Sequence, residues 1–416
     1  MLKRLTAFVL MAIISMTMVS GGVTVSATTD ENVQENMAEN DGLGIESKAA
    51  VLMEKTTGNV LYEKNADEKL SPASITKIMT LILIFDNIES GKIKLEDIVT
   101  TSEYAKSMGG SQVFLETGEQ QTVDTLIKCI IVASGNDASV AMAEHIAGTE
   151  GEFVKMMNKR AKELGMNSTN FEDCCGLTDS TNHYTSARDV AIMSRELISK
   201  YPQIHNYSTI WMENITHTTD KGTKEFGLTN TNKLLKQYQW TTGLKTGSTS
   251  LAKYCVSATA KKNDIELIAV IMAAPDYKIR FSEAIKLLEY GYGKCDLYSD
   301  GISGEKVYVK IDGGVKEKVK CSPESDFNYL GMNGENLQSI TKKIIKEKNV
   351  KASIKKGDVM GKYVYYIDGS EIGSTNIIAM ENVKKMKYTN AFVKTGKKFL
   401  IDIKKEKIVE ISYRIM

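Results

Sequence analysis

The feature that most constrains the fold is an apolar segment that begins at Ile75 and ends at Phe85. Its apolar residues are Ile75, Ile78, Met79, Leu81, Ile82, Leu83, Ile84 and Phe85. On helical spacing these side chains leave no polar stripe, because they point in every direction around the axis. A helix without a polar face has to be surrounded by other elements. The segment therefore predicts a helix that is buried on all sides.

Ser74 and Lys77 lie three residues apart at the start of this predicted helix. Positions i and i+3 share a helix face, so the two side chains can meet. Burial disfavours a charged ammonium, and a neutral amine beside a hydroxyl can make serine nucleophilic without a histidine. Taken alone, the tetrad 74–77 is better explained by a capping serine and a lysine that extends its amine to solvent. Other motifs have to decide between the two interpretations.

The length and charge of the chain limit its class. Its 416 residues are enough for two or three domains. Hydrophobic residues at 42% and charged residues at 25% are typical of a globular protein. A net charge of +1 argues against nucleic-acid binding through global charge. We expect a compact, folded protein with no nucleic-acid partner.

Residues 1–27 have the parts of a secretory signal peptide. Lys3 and Arg4 provide a charged start, an apolar stretch follows, and small residues suit cleavage after Ala27. An uncleaved anchor is the alternative, but polar residues and glycines make the stretch a poor membrane span. Residues 28–45 are mostly polar and acidic, which predicts a flexible spacer. We therefore expect an exported, extracytoplasmic protein.

Cysteine and histidine spacing gives no sign of a metal site. The six cysteines include no CxxC pair, and the four histidines form no HxxxH pattern. Export permits disulfides, but adjacent Cys174 and Cys175 could bridge each other only with strain. Buried free thiols are the expected state for most of the six. We predict no metal and no other cofactor.

Residues 46–294 carry strand patterns at both ends and helical patterns between them. The predicted elements are a hairpin around 56–59, helices at 123–133 and 138–148, strands at 241–249, 252–260 and 265–275, and a helix at 281–292. Because the strands come from distant segments, they predict one sheet with helices packed against it.

Residues 297–383 predict a small β-rich domain. Val307, Val309 and Ile311 alternate with polar residues, and Gly-containing turns at 312–314 and 368–369 are typical of hairpins. The segment shows no cluster of catalytic residues. We interpret it as a spacer or docking module.

Residues 384–416 form a basic tail. Eight lysines and one acidic residue lie between 384 and 405, and aromatic residues fall near one stripe of a helix. A basic amphipathic helix of this kind suits an anionic membrane surface. Gly396 weakens the helix. The alternatives are a terminal helix packed on the β-rich domain and, for the last residues, a strand.

Two further motifs accompany Ser74 and Lys77. Ser134–Gly135–Asn136 lies between two predicted helices, where we expect a tight turn. Lys245–Thr246–Gly247 lies in a predicted strand, where glycine would allow a substrate backbone to approach closely. Each motif is weak alone, since SGN also fits a helix cap. The three in this order, separated by long segments, point to one chemistry.

The order SxxK, SxN and KTG resembles the signature of the penicillin-recognising serine acyltransferases. The chain is most similar to the low-molecular-mass penicillin-binding proteins that act as serine D-alanyl-D-alanine carboxypeptidases, of the S11 peptidase type. The likeness includes TGNVLYEKNAD, SPASITKIMT, SGNDASVAMAEHIAG, NHYTSARDVA and GLKTGST. It implies a mixed α/β catalytic domain like that of β-lactamases and transpeptidases, with an antiparallel sheet and a helical cluster. A second, all-β domain and a C-terminal amphipathic helix would follow.

The resemblance also implies catalytic roles. Ser74 would attack the carbonyl between the two terminal D-alanines of a peptidoglycan stem peptide, and Lys77 would accept its proton. Ser134 would relay a proton to the leaving amine, and water would release the acyl-enzyme. Lys245 would lower the pKa of Lys77, because two nearby cations disfavour each other. β-Lactam antibiotics would acylate the same serine.

Five residues would bind the substrate. Asn136 would hold its amide, and Lys245 and Thr246 would bind the terminal carboxylate. Gly247 would permit close approach of the substrate backbone. The backbone N–H groups of Ser248 and Ser74 would form the oxyanion hole.

Three departures from the family pattern leave the catalytic groups intact. Thr242 stands where an aspartate is usual, and Ser248 where histidine or tyrosine is frequent. Residues 173–177 read Asp-Cys-Cys-Gly-Leu instead of Asn-Pro-His-Gly-Leu. The remaining alternatives are an endopeptidase that acts on cross-links, a β-lactamase and a non-catalytic wall-binding protein. A β-lactamase commonly uses a glutamate in an ExxLN-like element, which this sequence lacks, and the intact motifs argue against a non-catalytic protein.

Overall fold

The computed structural model describes residues 42–220, 222–387 and Phe392. The predicted signal peptide, most of the acidic spacer and nearly all of the basic tail lie outside the described residues.

The strands of the first region are β1 Ala49–Glu54, β2 Val60–Lys64, β3 Ile98–Thr100, β4 Gln120–Thr122, β5 Met212–Thr219, β6 Gly222–Thr229, β7 Thr241–Thr249, β8 Lys253–Lys262 and β9 Ile265–Ala274. Its helices are α1 Lys77–Glu89, α2 Glu103–Lys106, α3 Val123–Ile131, α4 Asn136–Ala147, α5 Glu150–Glu163, α6 Ala187–Lys200, α7 His205–Ser208, α8 Leu234–Gln237 and α9 Ile279–Tyr292. Short 3₁₀ turns cover Ala73–Thr76 and Pro202–Ile204.

A five-stranded antiparallel sheet organises this region, in the order β2-β1-β9-β8-β7. Strand β1 pairs with β9, so that Leu52 lies opposite Ala269. This pairing confirms the prediction that distant segments form one sheet. Because side chains alternate between the faces of a strand, Leu52 packs with Leu287 of α9, whereas Val51 belongs to the helical core on the other face.

Helix α1 lies in that helical core. All of its apolar residues from Ile78 to Phe85 are buried, as is Ile75 in the 3₁₀ turn before it. The prediction of a helix buried on all sides is therefore confirmed. The 3₁₀ turn carries Ser74, and α1 begins at Lys77.

The sequence patterns missed a long hairpin between the helices and the sheet. Strands β5 and β6 pair from Met212↔Thr229 to Thr219↔Gly222. Most of their side chains are exposed, so the segment lacks the alternating apolar pattern that identifies a half-buried strand.

The second region is all β apart from a 3₁₀ turn at Leu337–Ser339. Its strands are β10 Cys295–Ser299, β11 Val307–Lys310, β12 Lys318–Pro323, β13 Asn328–Met332, β14 Thr341–Lys346, β15 Val359–Ile367 and β16 Ser370–Ala379. Five of them form a sheet in the order β11-β12-β16-β15-β14, and β10 pairs with β13. The predicted hairpin at 368–369 joins β15 to β16, and the predicted turn at 312–314 lies in a longer connection between β11 and β12.

Candidate active site

Ser74 and Lys77 meet at the junction of the 3₁₀ turn and α1. The Lys77 Nζ lies 3.0 Å from the Ser74 Oγ. It also donates to the Asn136 Oδ1 at 2.6 Å and to the Cys175 carbonyl oxygen at 2.9 Å. A neutral amine has two N–H groups and one lone pair, so it can serve both acceptors and still receive the Ser74 hydroxyl proton. The predicted pair is therefore present in a geometry that suits proton transfer.

Burial lowers the pKa of Lys77 from its ordinary value of 10.5 and outweighs the opposing effect of nearby acidic groups, among them Cys175 and Asp173. The Lys77 side chain has no solvent exposure. Of the two causes expected from the sequence, burial and a second lysine, burial has the main effect on the pKa of Lys77. Since the charged form is disfavoured, Lys77 is suited to act as a base.

Ser134 lies in the turn between α3 and α4, as predicted. Its backbone has a φ of 63°, in the left-handed region that L-residues seldom adopt. The Ser134 Oγ accepts a hydrogen bond of 2.9 Å from the Lys245 Nζ. The turn thus brings Ser134 of the SxN motif to Lys245 of the KTG motif.

Asn136 is the first residue of α4 and forms hydrogen bonds with Lys77 and with the segment 109–111. Its Oδ1 accepts from Lys77, and its Nδ2 donates to the Gly109 carbonyl oxygen at 2.7 Å. Its backbone N–H donates to the Ser111 carbonyl oxygen at 2.8 Å. One side-chain N–H and one oxygen lone pair remain for a substrate. Asn136 therefore positions Lys77 in addition to the substrate-binding role that the resemblance implied.

Lys245 projects from β7 and is buried, with 1% of its surface exposed. Its Nζ also donates to the Thr246 carbonyl oxygen at 3.1 Å. Burial lowers the pKa of Lys245 well below 10.5, and the charges of Lys77 and Arg280 add to the effect. The Thr246 Oγ1 donates to the Thr231 Oγ1 at 2.8 Å.

Gly247 brings β7 against the start of the 3₁₀ turn that carries Ser74. A Cβ at this position would lie 2.8 Å from the Pro72 carbonyl oxygen and 3.0 Å from the Ser74 backbone nitrogen. Only glycine permits this approach without a backbone shift. The next residue, Ser248, is exposed and adjoins this contact.

The sequence patterns missed Arg280, a buried residue of α9. Its Nη1 donates to the carbonyl oxygens of Gly247 at 3.1 Å and Cys255 at 3.3 Å. These bonds connect α9 to β7, which carries the KTG motif, and to β8. An arginine between two apolar residues, Ile279 and Phe281, is the only signal that sequence offers, and it does not reveal the partners.

The 173–177 loop departs from the family pattern, and its contacts with Lys77 and with the turn that carries Ser74 were not predicted. The Asp173 carboxylate accepts hydrogen bonds from four backbone N–H groups. They belong to Cys175 at 2.8 Å, Leu177 at 3.1 Å, Thr178 at 2.8 Å and Gly176. Gly176 has a φ of 75°, and a Cβ there would meet the Ala73 carbonyl oxygen at 1.8 Å. The loop therefore packs tightly on the turn that carries Ser74.

Thr242, where the family usually has an aspartate, takes part in a buried polar cluster at the start of β7. Its Oγ1 donates to the Glu266 Oε1 at 3.1 Å and lies within hydrogen-bond distance, 2.9 Å, of the Thr259 Oγ1. Burial alone would raise the pKa of Glu266, but hydrogen bonds and charge from His205 and Lys55 lower it to about 2. An acidic group is thus present near this position, although β9, which is separated from β7 by β8, supplies it.

Comparison with known proteins gives one consistent family. Residues 34–276 match the S11 peptidase family, described as D-alanyl-D-alanine carboxypeptidase, and residues 292–385 match the C-terminal domain of penicillin-binding protein 5. The chain is 44% identical to D-alanyl-D-alanine carboxypeptidase DacF of Bacillus subtilis over 346 residues, which cover 82% of this chain and 87% of that protein.

Solved structures agree. Penicillin binding protein 5 from Haemophilus influenzae is 34% identical with a TM-score of 0.69, over 82% of this chain and 98% of that one. Penicillin-binding protein D2 from Listeria monocytogenes, in its ampicillin-bound form, is 29% identical with a TM-score of 0.53, over 60% of this chain and 99% of that one.

Proposed function

This chain belongs to the S11 family of D-alanyl-D-alanine carboxypeptidases, and from that membership we propose how the residues around Ser74 divide the reaction among them. The chain is a serine hydrolase that removes the terminal D-alanine from peptidoglycan stem peptides. The observation that carries the assignment of roles is the Ser74–Lys77–Asn136 arrangement, in which a desolvated amine lies 3.0 Å from a serine hydroxyl.

Acylation begins when the Ser74 Oγ attacks the carbonyl carbon of the penultimate D-alanine. Its proton passes to the neutral Lys77 amine, and the electron pair of the carbonyl bond moves to oxygen. The N–H groups of Ser74 and Ser248 stabilise this oxyanion, as preorganised donors do in acyl transfer. The close approach of Gly247 to Ser74 supports this placement.

Collapse of this intermediate breaks the C–N bond to the terminal D-alanine. Ser134 gives its proton to the leaving amine and regains one from protonated Lys77. This leaves an ester on Ser74 and a neutral Lys77. The 2.9 Å contact with Lys245 supports a relay at this position. Water then attacks the ester, with Lys77 again as base, and releases the shortened peptide.

Lys245 and Thr246 bind the terminal carboxylate. In the free protein burial disfavours the charge on Lys245. An entering carboxylate favours the protonated form, because an opposite charge at short range offsets the cost of desolvation. The site therefore discriminates in favour of peptides that end in a free carboxylate.

β-Lactams acylate Ser74 by the same attack on their strained amide. The similarity to an ampicillin-bound penicillin-binding protein supports this expectation. Because the nitrogen of the opened ring stays tethered to the acyl group, it does not leave the site. Water therefore attacks the acyl-enzyme slowly.

We further propose that the protein acts on the outer face of the cytoplasmic membrane. The signal-like composition of residues 1–27 and the eight lysines between 384 and 405 support export and attachment to anionic lipid. Phe392, in the tail, is 84% exposed. In the ranges that the structure describes, no helix is long and apolar enough to cross a membrane.

The test of the residue roles uses the purified protein and a stem peptide that ends in D-Ala-D-Ala. Free D-alanine is measured, and a fluorescent penicillin reports covalent labelling. Ser74→Ala should lose both activities, whereas Ser282→Ala, a change at an exposed serine of α9, should keep them. Labelling of the Ser74→Ala variant under native conditions would refute the assignment.

A further inference from the structure

Glu150, Cys174 and Cys175 form a cluster of three metal-ligating side chains next to the catalytic pair. One oxygen of Glu150 and the two sulfur atoms all lie within 4.8 Å of one another. The thiols are buried and free, whereas Glu150, the first residue of α5, is partly exposed. Within residues 42–220 and 222–387, no other three His, Cys, Asp or Glu side chains meet in this way.

Hydrogen bonds from a tyrosine hydroxyl and from backbone N–H groups orient the carboxylate and the loop of this cluster. The Glu150 Oε2 accepts from the Tyr104 hydroxyl at 2.6 Å, and its Oε1 accepts from the Cys174 backbone N–H at 3.0 Å. The Asp173 carboxylate fixes the backbone of Cys175. Partners that orient a ligand are typical of metal sites, because they fix its geometry before the ion arrives.

We propose that Glu150, Cys174 and Cys175 bind one thiophilic divalent cation of the zinc class. Two thiolates and a carboxylate are ligands that Zn²⁺ accepts, with water in the remaining position of a tetrahedral site. Each thiol releases its proton to solvent on binding, so cation uptake releases two protons. The partly exposed side of Glu150 provides the route of entry.

The same two cysteines contact the catalytic helix through their backbone. The Cys175 carbonyl oxygen accepts from the Lys77 Nζ at 2.9 Å, and the Cys174 carbonyl oxygen accepts from the Thr80 Oγ1 at 2.5 Å. Drawing the two sulfur atoms onto a cation shifts the peptide units that carry these carbonyls. Occupancy of the site therefore displaces an acceptor that orients Lys77 and slows acylation of Ser74.

The test uses full-length protein that has been reduced, freed of metal with a chelator and dialysed. Cd²⁺ serves as the probe for the zinc class, because thiolate-to-Cd²⁺ charge transfer is visible in the ultraviolet. We expect one equivalent to bind, with the absorption band of two thiolates, and Zn²⁺ to displace it. Acylation by a fluorescent penicillin should slow on loading and recover when chelator is added.

Two variants and a matched control test the ligands. Cys174→Ala and Glu150→Gln should weaken Cd²⁺ binding by at least about tenfold, the loss that even an outer-shell partner can cause. Cys129→Ala removes another fully buried free thiol, on α3, and should leave binding unchanged. Penicillin labelling without metal shows whether each variant is folded. If Cys174→Ala fails this check, Glu150→Gln still tests the site, because its side chain is partly exposed and keeps its shape.

Several results would overturn the proposal. One is the absence of stoichiometric binding to the wild-type protein, and another is equal affinity in wild type and Glu150→Gln. A disulfide between Cys174 and Cys175 in the purified protein, detected by mass spectrometry, would also refute it, since no thiolate ligand would remain. Tight binding without any change in acylation would refute the coupling to Lys77.

Discussion

The Lys245 Nζ lies 2.9 Å from the Ser134 Oγ, although 111 residues separate them in the chain. This bond joins β7 of the sheet to the turn between α3 and α4, so both halves of the catalytic region contribute to one site. Burial and the charges of Lys77 and Arg280 lower the pKa of Lys245. The free protein therefore contains two lysines in one site whose charged forms are disfavoured.

Lys77→Met should abolish most acylation while keeping the side-chain volume. Removal of a general base costs about 10²- to 10⁴-fold in rate. The measurement is the rate of labelling by a fluorescent penicillin in stopped flow, with Lys69→Met, a change at an exposed lysine, as the control. A rate within a few fold of wild type would show that another group takes the proton.

Lys245→Ala should impair substrates that carry a free terminal carboxylate much more than their amides. The lost charge-assisted hydrogen bond is worth about 1.5–3 kcal/mol, or roughly 10- to 100-fold in kcat/KM. The measurement compares a D-Ala-D-Ala peptide with its C-terminal amide in wild type and variant. An equal loss for both substrates would contradict carboxylate binding by Lys245.

Lys245→Met should stabilise the protein in a pH-dependent manner. Because the folded pKa of Lys245 lies below the ordinary 10.5, the unfolded chain binds more protons between these two values. Wild-type stability therefore rises with pH through this window, and the contribution is lost as pH falls through the folded pKa. The free energy of unfolding of Lys245→Met lacks this dependence on pH.

Thermal unfolding at a series of pH values checks this prediction. The Tm of Lys245→Met should exceed that of wild type by about 2–4 °C at neutral pH, the shift that ~1 kcal/mol produces in a domain of about 150–250 residues. The difference should shrink as pH approaches 10.5. A constant difference across the range would mean that Lys245 titrates normally in the folded protein.

Gly247→Ala should slow acylation without unfolding the protein. The new methyl group meets backbone atoms of Pro72 and Ser74 at 2.8 and 3.0 Å, so the strand or the turn that carries Ser74 has to move. Acylation rate and Tm are measured together, with Gly151→Ala on α5 as the control. A Cβ at Gly151 has no neighbour within 4 Å, and the change should stabilise the helix by about 0.5–1 kcal/mol. Normal acylation by Gly247→Ala would argue against close approach at this point.

Residues 384–416 should attach the mature protein to anionic membranes. Each basic residue near the surface contributes on the order of 1 kcal/mol, and salt screens this attraction. The measurement is co-sedimentation with anionic and neutral vesicles at low and high salt. A chain that ends at 383 should remain in solution and still release D-alanine. If the full mature chain stays in the supernatant with anionic vesicles at low salt, the tail does not bind membrane.

Local patterns predicted much of the fold, and the resemblance to a known family linked the three motifs. The period of the apolar residues in α1 and the turn residues of the hairpins were sufficient, because both depend on neighbours within a few positions. The hairpin β5–β6 was missed, since its exposed side chains leave no alternation. Arg280 was missed because its acceptors are carbonyl oxygens of distant strands, which no residue type reveals.

The sequence was enough to place Ser74 beside Lys77, because one helical turn brings positions i and i+3 together wherever the helix lies. It also determined that α1 is buried, since a helix without a polar face has no stable alternative in water. The groups that surround that pair depend on contacts between distant segments. The packing of the sheet and helices brings Lys245 to Ser134, the Cys175 carbonyl to Lys77, and Glu150 to the adjacent cysteines. These contacts join positions far apart in the chain, and only burial of the shared core offsets the conformational entropy lost in closing such loops.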